Sequence, residues 1–140
     1  MNYARAALIA SAFVVFGAGP GSAQSADDAF GVWRHPDTGA HVKIAQCGGG
    51  VCATIIKAEA GKKDVKNPDP KLRTRPVQGI MIMNGGKKTG AATWSGKLYN
   101  SQDGETYNGT LTVVDKDHLK LQGCVLGGLI CQGPTWTRVQ

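Results

Sequence analysis

The residues best equipped for chemistry fall between Asp64 and Gly79, in the run Asp-Val-Lys-Asn-Pro-Asp-Pro-Lys-Leu-Arg-Thr-Arg-Pro-Val-Gln-Gly. With Asp64 or Asp69 as general base and Arg73 or Arg75 as anion clamp, such a set would make a hydrolytic site. Acidic and basic side chains in a Pro-rich loop also pair internally and hold the loop's shape. That structural role is the reading favoured for the two aspartates. Arg73 and Arg75 differ, because they stand at i and i+2 ahead of Pro76. In an extended segment both guanidinium groups then point to one side, which makes them the candidates for ligand contact. Asn67 is suited to cap a turn or to hydrogen-bond that ligand. Pro68, Pro70 and Pro76 remove backbone donors and keep the run from being a strand.

Other reactive side chains are few. His35 and His41 flank a turn and His118 lies far along the chain, and all three read as surface residues on polar faces, so no metal site is assigned. No Ser/His/Asp order, metalloprotease helix motif or Gly-rich phosphate loop is present. No catalytic residue and no cofactor is therefore expected. Tyr99 and Tyr107 border the Asp103-Gly104 turn and would supply an aromatic wall beside the Pro-rich loop. Trp94, with Met81 or Met83, would line the apolar part of a cavity whose entrance carries Arg73 or Arg75.

What must position these groups is a small exported domain. Arg5, the apolar run Ala6 to Phe16 and the small residues ending at Ala23 form an export signal with cleavage after Ala23. The apolar run is shorter than the roughly 20 residues a membrane span needs. Residues 24–140 then form a single domain, periplasmic or extracellular. The net charge is +6, and Lys57 to Pro76 holds seven cations against three anions, a net +4 around the loop. This suits an acidic surface or an anionic small molecule. Nucleic acid is excluded by export and by the absence of aromatic residues among the basic ones.

Four cysteines in an exported chain imply disulfides. Cys47 and Cys52 flank a Gly49-Gly50 turn, and Cys124 and Cys131 are symmetric about Gly127-Gly128, so the pairing expected is Cys47–Cys52 and Cys124–Cys131. The Gly49-Gly50 turn sets Cys47 opposite Cys52 and Ile44 opposite Ile55.

The rest reads as short strands and tight turns. Gly31 to His35 is a first strand, followed by the turn Pro36-Asp37-Thr38-Gly39. His41 to Cys47 and Val51 to Ala58 form a hairpin. Val77 to Met83 is apolar without a decisive period, and Asn84-Gly85-Gly86 is expected to break the chain after it. Ala92 to Tyr99 turns Trp94, Gly96 and Leu98 to one face. Glu105 to Val114 alternates Tyr107, Gly109, Leu111 and Val113 with polar residues. His118 to Val125 turns Leu119 and Leu121 inward, and Ile130 to Val139 sets Trp136 opposite Leu119. Arg138 shares that inward face and needs a partner, for which Trp33 or Trp136 would serve. About eight such strands make an all-β, antiparallel, up-and-down meander, which closes most economically into a barrel.

Two resemblances sharpen this. Gly31-Val32-Trp33 near the start and Arg138 near the end resemble the Gly-x-Trp and terminal arginine of lipocalin and calycin barrels, where the arginine packs over the tryptophan. The ordered set Gly31-x-Trp33, Asp64-Val-Lys-Asn67-Pro68-Asp69, Leu72-Arg73-x-Arg75-Pro76-x-x-Gly79, Trp94-x-Gly96, Tyr99, Asp103-Gly104-x-x-Tyr107 and Trp136-Thr137-Arg138 is similar to the exported bacterial domain-of-unknown-function family 2147. Asn100-Ser101 departs from the Pro-containing turn expected there. The resemblance implies a lipocalin-like secreted barrel and no assigned activity. The function expected is binding of a small anionic or amphipathic molecule at the mouth or loop cleft, through Asn67, Arg73, Arg75, Trp94, Tyr99 and Tyr107. Trp33, Trp136 and Arg138 are structural. The alternative is an envelope protein that uses its basic loop to meet an acidic surface or partner.

Overall fold

A computed structural model of the chain describes residues 24–140. The export signal expected over residues 1–23 lies outside them. Nine strand segments follow in order: β1 (Gly31–Arg34), β2 (His41–Cys47), β3 (Gly50–Lys57), β4 (Met81–Gly90), β5 (Thr93–Asn100), β6 (Glu105–Asp115), β7 (His118–Val125), β8 (Ile130–Gln132) and β9 (Thr135–Arg138). Each pairs antiparallel with its neighbour, and β9 returns to β1, so the sheet closes. β8 and β9 hold one register against β7 on either side of Gly133-Pro134. They are one stave of an eight-strand barrel.

Alternation builds the core. Leu111 and Val113 of β6, Leu119 and Leu121 of β7, and Trp94 and Leu98 of β5 are buried, while the alternate residues Thr112, Lys120, Ser95 and Lys97 are more exposed. The cross-strand pair Leu119–Trp136 forms as expected. So do both disulfides.

Two local expectations need correction, and one open reading is settled. The β2–β3 turn is Gly48-Gly49, both at positive φ, so Cys47 faces Gly50 and Ile44 faces Ala53 rather than Ile55. The shift is two residues, so every side chain keeps its face and the disulfide runs diagonally. A Cβ on Gly50 would lie 2.5 Å from the Gly86 carbonyl oxygen, which holds this glycine in the strand against β4. Asn84-Gly85-Gly86 does not end its strand. β4 runs through it, with a register shift between the pairs Val51–Gly86 and Cys52–Asn84. The apolar run from Val77 divides, with Ile80 N–H bonding back to the Val77 carbonyl before β4 begins at Met81.

The closed end is plugged by the segment just before β1. Ser25 caps a short 3-10 turn, Ala26–Ala29, whose two alanines are buried. Trp33 is fully buried, and its Nε1–H donates to the Ala29 carbonyl at 2.8 Å. The Arg138 guanidinium lies 4.2 Å from the centre of the Trp33 ring and donates to the carbonyls of Asp28, Phe30 and Lys116. This answers the demand for a partner. A half-buried cation over an indole contributes about 1 kcal/mol, and each N–H directed at a carbonyl keeps its hydrogen bond.

Candidate ligand-binding site

The four connections at the other end are the 35–40 turn, the 58–80 loop, the 101–104 turn and the hairpin tip 126–129. They surround the mouth of a cavity of about 750 Å³. Its deep wall comes from inward positions of the strands, among them Val42, Ile55, Ile82, Leu98, Leu121 and Trp136. Its rim carries His35 and Asp37, Glu59 and Lys62, and Ser101 to Asp103. The chemistry is thus apolar below and mixed in charge above.

Trp136 is 7% exposed and opposes Leu119 on the inward face. Its Nε1–H is buried and has no acceptor, unlike any other buried side-chain nitrogen or oxygen among the described residues. A buried donor left unpaired costs about 1–3 kcal/mol. The other two indoles, Trp33 and Trp94, both donate to carbonyls.

His35 sits edge-on to Trp136, with ring centres 4.8 Å apart. Its Nδ1 accepts from the backbone N–H groups of Asp37 and Thr38, at 3.1 and 3.2 Å. That places the ring proton of neutral His35 on Nε2. Burial lowers the His35 pKa, opposed by Asp37 and helped by Lys62. The neutral ring therefore holds the first rim turn.

The Pro-rich loop forms one side of the mouth and is internally braced. Its base closes through the Lys63–Pro76 bridge and the Asp64 N–H to Arg75 carbonyl bond. Asp64 is fully buried. Tyr99 donates its hydroxyl proton to Asp64 Oδ1 at 2.6 Å, while Asn67 Nδ2 and Arg75 Nε each donate to Oδ2 at 2.9 Å. Burial alone would raise the Asp64 pKa, but the hydrogen bonds from Tyr99, Asn67 and Arg75 outweigh it and hold the carboxyl below its ordinary value. The same contact, with burial, pushes the Tyr99 phenol up to about 12. Asn67 Oδ1 turns the chain by accepting from Asp69 N–H, and Arg73 Nε donates to the Asn67 carbonyl at 2.8 Å.

The 101–104 turn locks onto this loop. Gly104 has φ +77°, and a Cβ there would fall 1.9 Å from the Lys66 carbonyl oxygen. Only glycine allows that approach. Asn100, where a Pro-containing turn is expected, makes the turn by accepting from Gln102 N–H through its side chain and from Gly104 N–H through its carbonyl.

The six residues expected at a ligand site therefore divide. Tyr99 and Tyr107 line the cavity, although both hydroxyls are spent on aspartates, Tyr107 donating to Asp103 at 2.6 Å. Asn67, Arg73 and Arg75 do not line it and brace the loop. Trp94 is at the opposite end, its Nε1–H donating to the Ala26 carbonyl at 2.7 Å and its ring against Phe30. Neither Met81 nor Met83 reaches the cavity wall. Missed by sequence reasoning were His35 and the inward aliphatic positions nearest the mouth. Trp136, assigned only a structural part, belongs to the wall as well. The signal available was position: inward residues in the strand halves next to the longer connections.

Comparison with known proteins now decides the family. The model of the family described as "uncharacterized protein conserved in bacteria (DUF2147)" matches residues 31–138. The chain belongs to that family. It is also similar to a solved structure, protein HP1028 of the human pathogen Helicobacter pylori, described as belonging to the lipocalin family. The two share 26% identity with a TM-score of 0.70, over 80% of this chain and 83% of that one. No curated protein matches. The fold of this DUF2147 member is thus a lipocalin-like, closed eight-strand antiparallel barrel.

Proposed function

We propose that the protein binds a small amphipathic molecule inside the barrel, its apolar body against the strand walls and its polar end at the rim. The observation that carries this reading is an apolar-walled cavity of about 750 Å³ at the open end, with Trp136 in its wall. That volume falls within the roughly 300–1,000 Å³ of small-molecule sites. The rim carries His35 and Lys62 as well as Asp37, Glu59 and Asp103, so it offers both donors and acceptors to the polar end of a ligand. The lipocalin-family description of the similar Helicobacter pylori protein supports a binding role. Two disulfides and the leader pattern of residues 1–23 support export to a periplasmic or extracellular setting.

Native mass spectrometry of protein purified from its own source tests the reading. The expected result is a retained small molecule, lost on organic extraction and retained less well by Leu121→Trp, whose ring crowds part of the cavity. Bare protein in both cases, together with no uptake of added laurate, would overturn it.

A further inference from the structure

The hairpin tip between Cys124 and Cys131 is built against the usual rule for exposed turns. Leu126 is 68% and Leu129 86% exposed, and Val125 and Ile130 beside them are a little under half exposed. No heavy atom lies within 4 Å of a Cβ built on Gly127 or Gly128, so the tip stands clear of the barrel. Leu126 adopts φ +53°, and it is the one non-glycine residue with positive φ among the described residues. A branched apolar side chain is strained there, where glycine or asparagine would be at ease. Neither leucine contributes to the core, yet the disulfide and the paired strands fix both in the open. An exposed apolar cluster of this kind marks a contact site.

The position of the tip says what it contacts. Val125 and Ile130 line the cavity, so apolar surface runs from the barrel interior out to Leu126 and Leu129. Across the mouth, the 58–80 loop exposes Lys63, Lys66, Lys71 and Arg73 around Asp69. Lys66 and Lys71 have no side-chain partner among the described residues. An apolar wedge and a cluster of cations on the same end of a small domain match the two layers of an anionic bilayer, acyl chains and headgroups. A narrow tip with no surrounding flat apolar face suits a deformable headgroup layer better than a packed protein interface.

We infer that the open end of the barrel docks on an anionic lipid surface, with Leu126 and Leu129 inserted and the loop cations against the headgroups. The inference goes beyond the binding reading and stands without it, because docking requires no occupant in the cavity. If both hold, the mouth opens directly onto the phase from which an amphipathic molecule would be taken.

The test is co-sedimentation of the chain from Gln24 onward, which keeps every strand and the N-terminal turn while removing the apolar leader. The probes are vesicles of phosphatidylglycerol and phosphatidylethanolamine in equal parts, and vesicles of phosphatidylcholine alone. Expected are binding to the anionic vesicles, weakening in high salt, and a loss of about 10-fold or more in the double variant Leu126→Asn with Leu129→Ser, since two leucines forfeit their burial. The double variant should keep its folded circular dichroism and its laurate uptake. Equal vesicle binding by parent and double variant would overturn the inference, as would no vesicle binding by the parent. A concentration-dependent dimer that the double variant abolishes, with no lipid binding, would reassign the tip to a protein interface and overturn it likewise.

Discussion

The two ends of the barrel are made from the same eight staves and the same alternation, and they are finished in opposite ways. At the closed end, Trp33 and Trp94 each give their indole N–H to a carbonyl of the N-terminal turn, and Arg138 covers Trp33 while donating to three more. At the open end, Trp136 has no acceptor, a cavity replaces the plug, and leucines stand in solvent. A barrel of this size needs only one sealed end to be stable. The other carries the unpaired indole N–H and the open space.

Breaking the closed end should be costly. Trp33→Ala removes the largest fully buried side chain and the seat of Arg138, and is expected to lose about 3–5 kcal/mol in urea unfolding. A loss below about 1 kcal/mol would mean that the closed end does not anchor the fold.

Next in size is the brace of the open-end loop. Asp64→Ala leaves Arg75, Asn67 and Tyr99 without their shared acceptor, a loss of about 3 kcal/mol. The sign with pH follows from the two shifts. The lowered Asp64 pKa gives stability that is present above its unfolded value near 3.9 and lost as pH falls through the lower folded value. The Tyr99 pKa, raised to about 12, gives stability present below its unfolded value near 10 and lost as pH rises from there through about 12. Thermal melts should therefore fall off at both extremes. Asp64→Asn should flatten the acid limb and Tyr99→Phe the alkaline one.

Filling the open end should cost less still. Leu121 is a core residue that also borders the cavity, so Leu121→Trp should cost about 1–3 kcal/mol while weakening ligand uptake. Calorimetry with laurate reads both. The smallest effect expected is a gain. Leu126→Asn relieves a left-handed leucine at φ +53° and should stabilise the fold by about 1 kcal/mol.

How far the chain alone revealed this differs between the two ends. The closed end was legible because Gly31-x-Trp33 and Arg138 make a demand with few solutions: an inward arginine must meet an aromatic face and carbonyls. The Leu119–Trp136 register was legible because β8 and β9 keep one count through Gly133-Pro134. The β2–β3 turn was not, since three successive glycines offer two equivalent turns, and the choice is made by Gly86 of β4 against Gly50. The cavity was illegible for a different reason. Leu98 and Leu111 are both inward apolar residues, and nothing in their identity says which one borders empty space. Arg75 misled because its partner Asp64 lies 11 residues back, and a loop's internal pairing looks the same in sequence as a surface offered to a ligand.

The three tryptophans provide the most direct measurement. In a proton–nitrogen correlation spectrum, the indole N–H signals of Trp33 and Trp94 report the closed end and that of Trp136 the cavity. Titration with laurate, with the signals assigned by Trp136→Phe and Trp94→Phe, should shift the Trp136 resonance as the ligand packs against the cavity wall and leave the other two in place. Three unmoved resonances at saturating laurate, or three that shift together, would contradict a binding site at the open end.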